Sequence, residues 1–206
     1  MVLYGLLPNR LLVGPRLLVP ALGAVLLGPI LLTEPGRITT RRPWLRSLSI
    51  SLIVLIAVAN TIALGLLLHA LTEGKPAEGR LLLLGAMQVW LTNIIAFGLV
   101  FWELDRGGPL ARATWSRERL PAADFRFPQD DDADTRHEVA HGSPASSCWT
   151  PEFIDYLYIS VTNSTAYSPT DTMPLSHRAK LLMTVECIEG LTISVLVIAR
   201  AVGVLG

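Results

Sequence analysis

Apolar residues in this chain fall in long blocks, with little of the striping that marks a soluble amphipathic helix or strand. Residues 17–33, 48–71, 81–104 and 181–205 are such blocks. As helices they would run roughly 25 to 38 Å, against a hydrocarbon core of about 30 Å. Each predicts a membrane span. The first is of marginal length and is broken by Pro20, Gly23, Gly28 and Pro29, which predicts a kinked or tilted helix. No small-x-small cleavage site follows Leu32, which favours a span over a signal peptide. Of the few polar positions inside the blocks, Asn60 and Thr61 in the second predict interhelical hydrogen bonding or interface placement, and Gln88, Thr92 and Trp102-Glu103 in the third, with Asn93 beside them, predict a stripe turned toward neighbouring helices.

The pattern changes between the third and fourth blocks. Gly107-Gly108-Pro109 stops the third helix. Residues 110–148 are hydrophilic, with five acidic residues between Asp130 and Glu138, and predict a mobile, partly disordered loop. Then Thr150 offers an N-cap, Pro151 suits the first helical position, and Glu152 suits the first turn. A helix over 151–162 would be about 18 Å long, too short to span. The residues after it are almost all polar, up to Asp171, and a return strand leads into the last block. Irregular polar backbone at membrane depth survives only where protein or water satisfies it. The stretch therefore predicts a re-entrant, pore-type helix and turn, with an interfacial hairpin as the alternative.

Composition agrees with a membrane chain. Of 206 residues, 51% are hydrophobic and only 17% charged, where a soluble domain carries about 25%. Mean hydropathy is +0.47. Net formal charge is zero, so no basic surface points to nucleic acid. The strongest topological signal is Arg37, Arg41, Arg42 and Arg46 between the first two blocks, which predicts a cytoplasmic connection. Counting forward puts the long loop inside as well.

Within the polar turn, Ser164-Thr165-Ala166-Tyr167-Ser168-Pro169-Thr170-Asp171 resembles the potassium-channel filter pattern T-x-G-Y-G-D. Tyr167 and Asp171 match in type; both glycines are missing, and Pro169-Thr170 is extra. Glycine reaches the left-handed angles of such a filter at little cost, whereas Ala166 or Ser168 would cost about 1–2 kcal/mol each. A standard potassium filter is therefore not expected. AYSPTDTMPLSHRAK, taken with Trp102-Glu103-Leu104-Asp105-Arg106-Gly107-Gly108-Pro109, is also similar to a family of uncharacterised bacterial integral membrane proteins. That resemblance covers roughly Trp90 to the C-terminus and implies a membrane fold without bringing an activity.

Other constellations are weaker. His137-Glu138-Val139-Ala140-His141 matches H-E-x-x-H, which needs both histidines rigid on one helical face. Here it follows an acidic run and precedes Gly142-Ser143-Pro144, so His137 and His141 are weak metal candidates. Asn163-Ser164-Thr165 fits the glycosylation pattern, but its place in the turn argues against use. Cys148 and Cys187 are expected as unpaired thiols. Glu186 and Glu189, three apart in the last block, share a helix face; carboxylates at membrane depth are functional candidates, unless both snorkel or pair with Lys180, Arg178 or Arg106.

The expected fold is all-α: one integral membrane bundle over 1–206, with four transmembrane helices, one re-entrant helix and turn, and a pore-like module at 81–206. The pore- or filter-like residues are Thr162, Asn163, Ser164, Thr165, Ala166, Tyr167, Ser168 and Asp171. The expected role is that of a cation channel-like protein of the cell membrane, multi-pass, with monovalent cations and the lipid bilayer as partners. One re-entrant loop cannot enclose a pore, so conduction implies a homo-oligomer, a tetramer by analogy. The alternative is a non-conducting scaffold that binds partners; a metalloprotease acting through the histidine motif is a distant third. No enzyme activity, catalytic residue, cofactor or nucleic-acid partner is expected.

Overall fold

A computed structural model describes residues 43–72, 79–131, 149–165 and 172–205. The described chain is mostly helical, in the order α1 (Pro43–Thr72), α2 (Gly79–Leu104), α3 (Pro109–Thr114), β1 (Phe125–Arg126), α4 (Pro128–Asp131), α5 (Phe153–Ser164), β2 (Met173–Pro174) and α6 (His177–Leu205). Three helices are long and apolar enough to cross a membrane, through Ile50–His69, Leu83–Gly107 and His177–Ala199. They correspond to the second, third and fourth predicted blocks; the first, 17–33, lies outside the described residues. The last helix begins four residues earlier than its apolar block because Ser176 caps it, accepting a hydrogen bond from the Ala179 amide at 3.1 Å.

The outward faces of these helices are apolar. Val54, Val58 and Ile62 on α1, Leu84, Met87 and Leu91 on α2, and Val185, Ile188 and Leu191 on α6 are all exposed. In water such faces would drive association; hydrocarbon solvates them.

The chain divides into two compact units, Met1–Ala96 with Ile188–Gly206, and Phe97–Cys187. In the first, Ala59, Ala63, Leu64, Leu67, Ala86, Val89 and Ile193 form the buried core. Three of these seven are alanine, and small side chains let helices approach closely where no hydrophobic effect pulls them together. In the second the core is aromatic: Phe97, Phe101, Phe125, Phe127 and Tyr156, with Ile159, Ala179 and Met183. Phe101, Phe125, Tyr156 and Phe127 meet edge-on in sequence, centroids 5.2–6.1 Å apart.

Residues 110–131 correct the expectation of a mobile loop. They form α3, a 3-10 turn at Arg117–Arg119, β1 and α4, and they bury Ala111, Arg112, Asp124, Phe125 and Phe127. β1 pairs antiparallel with β2, Phe125 opposite Pro174 and Arg126 opposite Met173. The acidic run past Asp131, His137, His141 and Cys148 lie outside the described residues, as do Ala166, Tyr167, Ser168 and Asp171.

The helix-stop Gly107-Gly108 behaves as its composition predicts, with φ of 82° and 91°. Gly108 also has ψ of 173°, a region nearly closed to other residues, and a Cβ there would meet the Glu103 carbonyl oxygen at 3.1 Å. Gly108→Ala is expected to destabilise the protein by about 1–3 kcal/mol. Gly65 is the control: helical, with open space around its would-be Cβ. Gly65→Ala should leave stability unchanged or raise it by up to about 1 kcal/mol. Thermal unfolding of both variants in detergent checks the contrast.

Candidate functional site

The second unit is built on a polar cap at the end of α2. Asp105 is fully buried there. Its Oδ1 accepts from the backbone amides of Asp124 and Phe125 at 2.7 and 3.3 Å, and its Oδ2 from the Tyr156 hydroxyl at 2.6 Å. Arg106 follows with φ of 51°, a strained angle for a side-chain-bearing residue. The Arg106 guanidinium donates to Asp130 at 2.5 Å and lies 3.4 Å from Asp105. Arg112 donates to the Asp105 carbonyl at 2.6 Å and stacks 5.1 Å above the Tyr156 ring. Burial raises the Tyr156 hydroxyl well above its ordinary range, with the Asp105 charge acting the same way, so the phenol stays a neutral donor. Burial pulls the Arg112 guanidinium down from its usual value.

Asp124 joins this cap to the start of α6. Its carboxylate takes Arg178 at 2.7 and 2.5 Å and the Ser176 hydroxyl at 2.5 Å, and its carbonyl takes the Leu175 amide at 2.8 Å. The Arg178 side chain is over half exposed, so this bidentate pair is partly screened.

From this cap α5 runs inward. Its N-cap is Glu152, not the expected Thr150, and the helix begins at Phe153. Glu152 and Asp155 form a reciprocal capping box, with the Glu152 amide donating to Asp155 at 2.7 Å. Thr150 has Phe153 three places on, which has no acceptor to return. Burial raises the Asp155 carboxyl above its ordinary range. Gly98 of α2 lets α5 close in: a Cβ there would sit 3.3 Å from the Leu157 Cα.

The inner end of α5 is latched to α6. Glu186 is fully buried and accepts from the Ser160 hydroxyl and, at 2.7 Å, from Asn163 Nδ2, which also reaches the Met183 carbonyl at 2.8 Å. This extends the helix expected over 151–162. Thr162 is helical as expected, and Asn163 and Ser164 are helical too and not part of a turn, because Asn163 finds its acceptor one helix away and the hydroxyls of Thr162 and Ser164 turn back to carbonyls of their own helix. Thr165 then caps the helix, its amide donating to the Val161 carbonyl at 3.2 Å. Neutral donors hold Glu186, and Arg106 and Arg178 are engaged at the cap with Asp130 and Asp124.

Within the first unit, Asn60 and Thr61 take the interhelical of their two expected roles. Asn60 donates to Asn93 at 2.8 Å, and Thr61 donates to Glu189 at 3.0 Å. Thr92 instead bonds the Gln88 carbonyl of its own helix at 2.8 Å. Cys187 is a free thiol. No group of three or more His, Cys, Asp or Glu side chains among the described residues could hold a metal ion.

Compared with protein-family models, with curated proteins and with solved structures, the chain matches none.

Proposed function

We propose that this chain is a multi-pass cell-membrane protein of four spans, the first at 17–33, built around a re-entrant pore-type module, and that it works as a homo-oligomeric pathway for monovalent cations. One observation carries the reading. The chain leaves the Asp105 cap along α5, whose twelve residues reach about 18 Å, and is back at that same cap by β2. A half-length helix that returns to its starting side is the form a re-entrant segment takes, and the negative end of its dipole favours cations at its inner terminus. The polar residues from Thr165 to Asp171 then supply the oxygens of the passage, as the resemblance of that stretch to a potassium-channel module suggests.

Reconstitution in liposomes with a potassium or sodium gradient tests it. Asp171→Asn is expected to lower flux more than Glu118→Gln, since Glu118 is exposed and screened. No flux above empty vesicles for either ion would favour the second reading: a scaffold that keeps the module without conducting. The burial of Asn163 and Ser164 in α5 is the observation on its side. Cysteine labelling across 153–165 bears on the fold itself. Labelling of the two ends from opposite sides of the membrane would make α5 part of a full span and sink the re-entrant reading.

A further inference from the structure

We propose that Asn60, Thr61, Asn93 and Glu189, in the first unit, form a binding site for one small monovalent cation. The proposal is independent of conduction, since a bundle that passes no ions can still bind one. Its starting point is an imbalance. Glu189 is 8% exposed and Asn93 only 1%, within helices that are mostly apolar. Among the described residues no lysine or arginine is paired with Glu189. Its Oε1 accepts from Thr61, while its Oε2 is buried with no hydrogen-bond partner. Asn93 Nδ2, buried without a geometric partner of its own, acts on the carboxylate as a neutral donor and brings no charge to balance it. An unpaired carboxylate in this setting is costly, and a single positive charge neutralises it.

Thr61 and Asn93 can both turn oxygen toward that charge, with Asn60 orienting the Asn93 amide. The Thr61 hydroxyl has two acceptors for its one proton, Glu189 Oε1 at 3.0 Å and the Ala57 carbonyl at 3.1 Å. Donating to Ala57 leaves its lone pairs and both carboxylate oxygens to an ion. The Asn60–Asn93 pair can reverse its sense, because each amide carries a donor and an acceptor. In the reversed sense Asn93 donates to Asn60 and presents its own oxygen toward Glu189. The result is a carboxylate, a hydroxyl and an amide oxygen, a hard-donor set with one negative charge, which suits Na⁺ or K⁺ better than a divalent or a soft metal. Thr61 is exposed and forms the outer edge of the cluster. A proton, the competing occupant, would use one of these oxygens; a metal cation uses the set.

Thermal unfolding of the purified full chain in detergent, in NaCl, KCl or N-methylglucamine chloride at equal ionic strength, tests the site. Saturating Na⁺ or K⁺ should raise Tm by roughly 5 °C over N-methylglucamine, following the mass-action stabilisation of a bound ligand. Glu189→Gln should abolish the difference. Thr61→Val, nearly isosteric and at an exposed position, keeps the test alive if Glu189→Gln fails to fold; it should shift the cation response to higher concentration, and Glu118→Gln should not. An identical Tm in all three salts, or a wild-type response in Thr61→Val, overturns the proposal and leaves the proton as the occupant.

Discussion

Asp105→Ala is expected to destabilise the protein by about 3–5 kcal/mol, the cost of removing one partner from a buried, hydrogen-bonded charge network. The carboxylate is fully buried and accepts from Tyr156, Asp124 and Phe125 while lying against Arg106. Alanine would strand the Tyr156 hydroxyl and two backbone amides and leave Arg106 with Asp130 alone as its charge partner. Asp105→Asn should cost less, because the amide oxygen can still face the backbone amides and its NH₂ can donate to the phenol oxygen. Tyr156→Phe should cost about 1–2 kcal/mol, the loss of one hydrogen bond to a charged group. Since the two side chains share that bond, the double variant Asp105→Asn with Tyr156→Phe should cost less than the sum of the singles. Unfolding midpoints in one detergent give all the terms. Strict additivity would show that Tyr156 is held by its aromatic neighbours and not by Asp105.

The long helices were legible because lipid exposure demands apolar runs, and runs survive in a single sequence. The short α5 was legible by its length, and Asn60, Thr61 and Asn93 by polarity out of place. The cap was not. Residues 110–131 carry charges at the density of a solvated loop, but Arg112, Asp124 and Asp130 are used inward. Asp124 meets Arg178 across 54 positions of chain, a distance no local pattern spans. The alternation Asp124-Phe125-Arg126-Phe127, buried at both phenylalanines, was the available signal. Asn163 and Ser164 misled in the opposite sense. Their polarity pointed to a turn, whereas a buried acceptor on α6 let the helix continue through them.

That acceptor sets the last expected result. Glu186→Ala should cost about 2–4 kcal/mol, combining a cavity with the loss of acceptors for Ser160 and Asn163. Glu186→Gln should cost under about 1 kcal/mol, because glutamine keeps the shape, its oxygen still accepts from Asn163, and its NH₂ can donate to the Ser160 oxygen. The contrast separates a latch from a generic packing residue, since both changes remove the carboxylate and only one removes the bonds. Ser164 reports on the latch. It is 1% exposed at the end of α5. In a background with Cys148 and Cys187 replaced by serine, Ser164→Cys should resist maleimide in the otherwise wild-type chain and with Glu186→Gln. It should become reactive with Glu186→Ala, as the inner end of α5 comes away from α6. Continued protection with Glu186→Ala, despite lowered stability, would show that α5 is seated by the aromatic core around Tyr156 and Ile159 and that Glu186 holds nothing in place.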